Sequence, residues 1–244
     1  MYNKKGFLQI KHLLLAVVIL LNLLAPVNTV SAEVSGNTIG ESGFSAVLYN
    51  NSNGLPTSEA NAIAQTQSGF IWIGGYSGLI RYDRNDFYRF DSSVGITSVM
   101  SLYVDGEDRL WIGTNDNGKF LSFGKEQGLI SLSVRAIAED ASGNIILATT
   151  EGMAYIDSNC DLHVIEDSRI EDKFVCRLKT DADGVIYGST MDGCFFSMEN
   201  LAVTSFCDGK ELGIGEVFCI CPDLSEKGKV YLGMEDSSGV CKEH

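Results

Sequence analysis

A single pattern occurs five times along this chain and limits the folds that the chain can adopt. The first copy, residues 69–83, reads G-F-I-W-I-G-G-Y-S-G-L-I-R-Y-D. Its β-branched and aromatic residues suit a buried strand, its glycines suit a tight turn, and a second strand follows. Aligned on Gly74, the later copies centre on Gly113, Ala148, Ser189 and Gly233, at steps of 39, 35, 41 and 44 residues. The position two residues earlier is apolar every time: Trp72, Trp111, Ile146, Tyr187 and Tyr231.

Each copy lies inside a larger unit of about forty residues. A short alternating strand such as Val99 to Val104 precedes it, and a polar turn such as Asp105 to Asp108 joins the two. A third strand follows, and in the first unit a fourth at Phe87 to Phe90. Four short antiparallel strands per repeat predict an all-β fold, a β-propeller of five repeat units whose last unit lacks its outer strand. The predicted propeller covers residues 44–244, with blades at 57–90, 97–128, 131–166, 172–206 and 214–244.

The two ends of the repeat region leave two arrangements open. Residues 44–50 resemble a fourth strand with no blade of its own, while residues 239–244 match only a third strand. The first segment is therefore predicted as a ring-closing strand, which would remove the exposed sheet edges of a five-bladed propeller. Alternatively, the sequence is an N-terminal fragment of a propeller with six to eight blades or more. We favour the fragment, because an end at a third strand without a polar tail looks arbitrary.

The first thirty-two residues have the pattern of a secretory signal peptide. Lys4, Lys5 and Lys11 form a positive segment, residues 13–24 an apolar one, and Val30-Ser31-Ala32 a small-residue cleavage site. A short lead-in at 33–43 would then connect to the propeller. The alternative is an uncleaved leader that serves as a membrane anchor, since the apolar segment is only slightly short for a bilayer span. Either way the protein is expected to be extracytoplasmic.

The charge of the chain excludes some partners. The full chain has a net charge of −14, and removal of residues 1–32 leaves 15 Lys and Arg against 32 Asp and Glu. Such an acidic surface repels nucleic acid and anionic lipid, so neither is an expected partner.

The cysteines all lie in the last third or so of the chain, and their number is odd. They have no C-x-x-C spacing, so neither a zinc knuckle nor a thioredoxin-like motif is supported. In an exported protein one or two disulfides are an alternative to cysteine acting as a small buried apolar residue, which we favour. The seven are Cys160, Cys176, Cys194, Cys207, Cys219, Cys221 and Cys241.

The first two units resemble the two-component-regulator propeller repeat. The resemblance rests on G-L-P-T-S-E-A-N-A-I-A-Q-T, on the 69–83 motif and on R-L-W-I-G-T, and it extends over roughly residues 44–244. It weakens where Ala148 and Ser189 replace the glycine. Members of that family are extracytoplasmic sensor modules, so the resemblance implies a membrane receptor with a downstream membrane helix. It also implies a cytoplasmic diguanylate cyclase or histidine kinase, whose motifs this sequence lacks. A second copy of the receptor is a candidate partner.

The sequence offers no catalytic group, metal cluster or cofactor motif. The three histidines, His12, His163 and His244, are isolated, so no nucleophile–base arrangement can be assembled. Aspartate-rich turns such as Asp181 to Gly184 resemble calcium loops, but they are short and also have the composition of ordinary hairpin turns. Trp72 and Trp111 could stack on sugars, but packing between blades is the favoured interpretation. We therefore expect no enzyme, no cofactor and no metal site.

The loops at one end of the blades are the candidate binding surface. Propellers usually bind ligands where the loops before each inner strand and between the second and third strands meet at the central channel. The ligand would be a small molecule, a sugar or a peptide. The candidate residues are Glu59, Asn61, Tyr76, Asn115, Asp116, Glu151 and Asp192.

Three functions follow from these observations. The favoured one is an extracytoplasmic ligand-binding sensor propeller of a membrane signal-transduction receptor, with the output domain absent from this chain. The alternative is a secreted propeller scaffold that binds protein or glycan. A propeller lyase or hydrolase is the third, and the lack of histidines and of paired carboxylates argues against it.

Overall fold

The structure, a computed structural model, describes residues 38–39, 45–52, 54–90, 92–115, 122–212, 215–234 and 238–242. The predicted leader at 1–32 lies outside the described residues. The chain divides into two compact units, Met1–Leu48 and Tyr49–His244. In the first unit, strand β1 (Thr38–Ile39) pairs antiparallel with β2 (Ser45–Ala46). The ring-closing role of residues 44–50 stays a prediction.

The second unit consists of five antiparallel sheets, one for each repeat. The first sheet is β3 (Ala62–Gln65), β4 (Ile71–Gly75), β5 (Gly78–Tyr82) and β6 (Phe87–Phe90). The described strands of the second are β7 (Val99–Val104) and β8 (Leu110–Thr114). The third is β9 (Val134–Glu139), β10 (Ile145–Thr149), β11 (Gly152–Ile156) and β12 (Leu162–Val164). The fourth is β13 (Val175–Thr180), β14 (Ile186–Thr190), β15 (Phe195–Glu199) and β16 (Ala202–Cys207), and the fifth is β17 (Val217–Pro222), β18 (Lys229–Met234) and β19 (Ser238–Lys242).

In the described part of the chain, helical structure is limited to connections between the sheets. Short 3₁₀ turns cover Ser92–Val94 and Lys125–Gln127, and one helical turn covers Gly209–Leu212. Within the described ranges, no helix has the length and the apolar composition that a membrane span requires.

The sheets are arranged as propeller blades. The first strand of each sheet lies beside the first strand of the next, in the order β3, β7, β9, β13 and β17. The remaining strands of each sheet follow outward in chain order, so each sheet presents one face to the preceding blade and the other to the following blade. This is the geometry of a β-propeller, and it confirms the fold predicted from the repeat.

The core lies between the blades. The largest cluster joins the third and fourth sheets, where Ile146, Val175 and Phe196 are all completely buried. Burial of apolar surface at about 25 cal/mol per Å² makes such blade-to-blade contacts the main source of stability. The two tryptophans also pack here. Trp72 lies against Leu79 and residues of the second sheet, and Trp111 lies against the cluster of the third, as the packing interpretation predicted.

The glycine of the W-I-G motif is required by the close approach of the next blade. A Cβ on Gly74 would lie 2.3 Å from Cγ1 of Val99, which is the first residue of the following inner strand. A Cβ on Gly113 would lie 2.8 Å from the carbonyl oxygen of Val134, the corresponding residue one blade further on. Neither glycine has a positive φ. The repeated glycine is therefore explained by packing rather than by backbone conformation.

Among the described residues, the two end blades each have one face that no neighbouring blade covers. Tyr231 in the fifth sheet is 42% exposed, whereas Tyr187 at the same repeat position in the fourth sheet is 3% exposed. At the other end, Ile63 of the first sheet is 69% exposed, whereas its counterpart Ile137 is buried. The repeated apolar positions are thus buried only where a following or preceding blade packs on them.

Candidate ligand-binding face

The antiparallel order of the strands brings two sets of loops to one end of the molecule. In each blade the inner strand begins at the end where the second strand finishes, because the two strands run in opposite directions. The segments before the inner strands and the turns between the second and third strands therefore lie together. We call this end the loop face. The turns between the first and second strands lie at the opposite end.

The first blade contributes Glu59, Asn61 and Tyr76 to the loop face. All three are exposed, and Tyr76 is the most prominent apolar surface there, with 60% of its area accessible. The amide Nδ2 of Asn61 donates to the carbonyl oxygen of Val99 at 3.0 Å, so this side chain links the first two inner strands. Glu59 and Tyr76 remain accessible to a ligand.

The second and third blades contribute Asn115 and Glu151, both exposed. Oδ1 of Asn115 accepts a hydrogen bond from the hydroxyl of Ser133 at 3.0 Å, which joins the second blade to the segment before β9. The backbone N–H of Glu151 donates to the hydroxyl of Thr149, and its carboxylate forms no ion pair with a described residue. Asp116 lies outside the described residues.

The fourth blade holds Asp192 in an ion pair. Its carboxylate accepts from Nζ of Lys173 at 2.5 Å and from the hydroxyl of Thr190 at 2.5 Å. The hydrogen bonds from Lys173 and Thr190 lower the pKa of Asp192, and the same Lys173–Asp192 contact raises the pKa of Lys173. Asp192 is thus already paired, and the loop face carries cations as well as the acidic residues that the sequence indicated.

A row of β-bulges, which the sequence analysis missed, forms the inner rim of the loop face. Each of the last four inner strands shifts register by one residue just after its first, buried valine. Bulges turn a side chain away from the regular pleat and are common next to binding sites. The recurrence of valine at the start of these strands was the available signal. The residues at the bulges are Met100, Arg135, Cys176 and Phe218, and Asn61 holds the corresponding place in the first blade.

Two arginines lie at this rim without a carboxylate partner among the described residues. The guanidinium of Arg135 reaches from β9 to the segment before β13, where its Cζ lies 5.2 Å from the ring centroid of Phe174. Arg177 donates to the carbonyl oxygens of Phe218 and Cys176, at 2.9 and 2.8 Å. Both side chains are half-buried.

The aspartate-rich turns at the opposite end serve a structural purpose. Oδ1 of Asp105 accepts the backbone N–H groups of Glu107 and Arg109, while Oδ2 accepts Nε of Arg109 and Nε1 of Trp111, both at 2.6 Å. The corresponding Asp181 and Asp223 cap their turns in the same way. Each also accepts a hydrogen bond from the hydroxyl of a tyrosine in the second strand of its blade. Their oxygens are occupied by internal donors. Over the described ranges no group of acidic, histidine or cysteine side chains is arranged to hold a metal ion.

Of the remaining singled-out side chains, the described histidine lies away from the loop face. His163 is on the outermost strand β12, where Nε2 contacts Asp157 at 3.2 Å and the ring stacks on Tyr155. Cys176 and Cys194 are buried, and burial raises the pKa of the Cys176 thiol. Cys160, Cys219 and Cys221 are exposed, and none of these three forms a disulfide with another described residue.

Three solved structures show the same fold at low sequence identity. The extracellular domain of a hybrid two component system from B. thetaiotaomicron aligns with a TM-score of 0.53 and 17% identity, covering 82% of this chain and 35% of that one. PorZ, a surface component of the type-IX secretion system of Porphyromonas gingivalis, aligns at 0.59 and 13%, covering 80% and 34%. The virginiamycin B lyase of Staphylococcus aureus aligns at 0.53 and 10%, covering 75% and 70%. The chain spans between 35% and 38% of the extracellular domains of two component systems that it matches.

The sequence itself matches one family. None of the curated proteins matches it. The model of the two component regulator propeller matches residues 93–116, which comprise β7, the Asp105 turn and β8 of the second blade. This is the unit in which the sequence motif R-L-W-I-G-T occurs. Residues 93–116 therefore carry the two component regulator propeller repeat, which confirms the resemblance seen in the second unit.

Proposed function

We propose that the chain is the extracytoplasmic ligand-binding propeller of a membrane signal-transduction receptor. The observation that carries the proposal is the two component regulator propeller repeat at residues 93–116. The likeness in fold to an extracellular domain of a hybrid two component system agrees with it. The module itself is not an enzyme in this proposal. It binds a signal molecule, and a cytoplasmic diguanylate cyclase or histidine kinase produces the output.

The loop face is the proposed binding surface. It combines exposed groups that can accept or stack on a ligand, such as Glu59, Tyr76 and Glu151, with a rim of bulged residues at the inner strands. Both sets are anchored by hydrogen bonds between neighbouring blades, as at Asn61 and Asn115. A ligand that contacts several blades at once would favour one arrangement of the blades over another. Such a difference in affinity between two receptor states is what signalling by population shift requires.

Attachment to the membrane is part of the same proposal. A downstream helix or an uncleaved leader would provide it, and a second copy of the receptor would provide a dimer. The membrane helix and the output domain are expected in the longer receptor. Expression of the sequence in a bacterial host, followed by protease treatment of intact cells or spheroplasts, tests the location. The proposal expects cleavage from outside, and full protection would contradict it.

Two alternative functions remain. A secreted scaffold for protein or glycan would use the same loop face without a receptor, and the likeness in fold to the bacterial surface component PorZ favours it as the second candidate. A lyase is the third, since a propeller lyase shares the fold. The described histidine, His163, lies on an outer strand rather than at the loop face. Only the shared fold therefore supports a lyase function.

A binding screen tests the proposed function. The chain would be titrated with three compound classes, namely neutral monosaccharides and oligosaccharides, acidic sugars, and short peptides, with thermal unfolding as the first readout. The proposal expects at least one class to raise the midpoint, because a ligand that binds only the folded state stabilises it. Replacement of Tyr76 by alanine should weaken that binding. Binding that requires the opposite end, for example residues near Asp157, would contradict the assignment of the loop face.

A further inference from the structure

Arg135 differs from the other arginines of the loop face and its surroundings. Arg169 contacts an aspartate, while Arg177 and Arg89 donate to backbone carbonyls. Arg135 has one described contact, the ring of Phe174 at 5.2 Å, and no hydrogen bond or ion pair. The cation–π contact positions the guanidinium, yet its N–H donors are left uncommitted.

The position of Arg135 follows from the bulge in β9. The register of β9 against β10 changes around this residue, with Val134 opposite Thr149 and Ala136 opposite Ala148. At the same place in the first blade, Asn61 uses its amide to hold the next inner strand through the carbonyl of Val99. Arg135 makes no such bond, so it is not needed to link the backbones of the third and fourth blades.

The composition of the chain makes this arrangement unusual. The sequence has 32 acidic residues against 18 lysines and arginines, so there are more carboxylates than cationic side chains for them to pair with. Lys173, the residue before Phe174, has such a partner in Asp192. Arg135 nevertheless has no ion pair among the described residues. Exposed apolar side chains lie at the same end of the molecule, namely Phe218 and Met191, whose backbone N–H donates to the carbonyl oxygen of Phe174.

We infer that Arg135 binds the carboxylate of a small organic acid or acidic sugar at the loop face. A planar guanidinium matches a carboxylate through two parallel hydrogen bonds between opposite charges, whereas a neutral hydroxymethyl group in the same place has one oxygen and no charge to pair with. Phe174 holds the guanidinium plane, and the neighbouring apolar side chains contact the rest of the ligand. The inference rests on the proposed function, and it adds the chemical class of the ligand and the residue that selects it.

Matched pairs of compounds test the inference by isothermal titration calorimetry at low salt. The first pair is glucuronate and glucose, and the second is benzoate and benzyl alcohol, so the two sources of a carboxylate are measured separately. We expect the acid of at least one pair to bind at least ten times more tightly than its neutral counterpart. Added sodium chloride should reduce the difference, because the contact is between charges.

Three variants assign the effect to Arg135. Arg135→Gln should remove the preference for the acid, and Arg135→Lys should retain part of it, since lysine keeps the charge but not the planar fork. Arg84→Gln is the matched control, because it removes an exposed arginine from the β5–β6 turn at the opposite end. Unchanged thermal unfolding of Arg135→Gln would show that the loss is not a folding defect.

The failure of the inference is distinct from that of the proposed function. Equal binding of acid and neutral compound, or tight acid binding by Arg135→Gln, would overturn the inference while leaving a ligand-binding propeller. Absence of binding by either acid would also overturn it. The proposed function falls only if all three classes in the wider screen fail to bind.

Discussion

The hydrogen bond between Asp105 and Trp111 illustrates how each repeat is stabilised by contacts inside its own blade. In the second blade, the carboxylate of Asp105 caps its turn and also accepts Nε1 of Trp111 at 2.6 Å. Burial raises the pKa of Asp105, but the hydrogen bonds from Trp111 and Arg109 outweigh it, so the pKa lies below its usual range. The first blade has the same turn with Thr66 in place of the aspartate, and there Nε1 of Trp72 is buried without a partner.

Replacement of Asp105 by asparagine should reduce the free energy of unfolding by about 2 kcal/mol at pH 7, since buried donors lose a charged acceptor. A lowered folded-state pKa stabilises the fold above the unfolded pKa of about 4 and loses that effect as the pH falls further. The difference between the two proteins should therefore shrink below pH 4. Urea unfolding between pH 3 and 7 measures it.

The control for this prediction lies in the same turn. Glu107 contacts Arg109 at 3.0 Å but is largely exposed, so Glu107→Gln should change stability by less than about 0.5 kcal/mol. A loss in Asp105→Asn that stays the same from pH 7 down to pH 3 would contradict the assigned role of the carboxylate.

The reverse change should stabilise the first blade. Thr66→Asp places a carboxylate where the backbone geometry matches that of Asp105, since both turns have the same N–H to carbonyl bond four residues apart, at 3.1 Å. It would give Nε1 of Trp72 an acceptor, and we expect a gain of about 1 kcal/mol in urea unfolding. The gain should vanish in a Trp72→Phe background. A gain that persists in that background would contradict the explanation.

The sheets show how far the sequence predicted the elements. Two predicted strands, Val99 to Val104 and Phe87 to Phe90, have the predicted bounds. The repeat made these predictions accurate, because the alignment of five copies shows which residues begin and end each strand.

Features that depend on contacts between blades could not be predicted from the sequence. Arg135 lies at a register shift of β9 against β10 and contacts Phe174 of the next blade, and single-strand periodicity carries no information on either feature. The ion pair between Lys173 and Asp192 is likewise formed by residues 19 positions apart. The list of candidate residues from the loops contained Asp192 but not its partner.

The motif glycine provides a prediction about blade packing. Gly113→Ala should lower the free energy of unfolding by about 2 kcal/mol, because its Cβ would meet the carbonyl oxygen of Val134 at 2.8 Å. Gly215→Ala is the control, since no atom lies within 4 Å of its Cβ. The control should leave urea unfolding unchanged or raise stability by less than about 1 kcal/mol. Equal behaviour of the two variants would contradict close packing of the blades as the cause.

The same repeat position contributes differently to stability in different blades, because its burial differs. Tyr187 is enclosed between the fourth and fifth blades and stacks on Phe195, whereas Tyr231 lies on a face that no blade covers. Tyr187→Ala should therefore cost about 3 to 4 kcal/mol and Tyr231→Ala about 1 kcal/mol, as measured by thermal and urea unfolding. Comparable losses would mean that the uncovered face of the fifth blade is buried in solution.

The central claim is that the loop face binds the signal molecule. Chemical-shift mapping of backbone amides during titration with glucuronate, glucose and glycylglycine measures this most directly. We predict that the compound that binds shifts the amides of Glu59, Tyr76, Arg135 and Glu151, while those of the opposite turns around Asp83 and Asp157 stay in place. Shifts confined to the opposite turns, or spread evenly over the blades, would contradict the account.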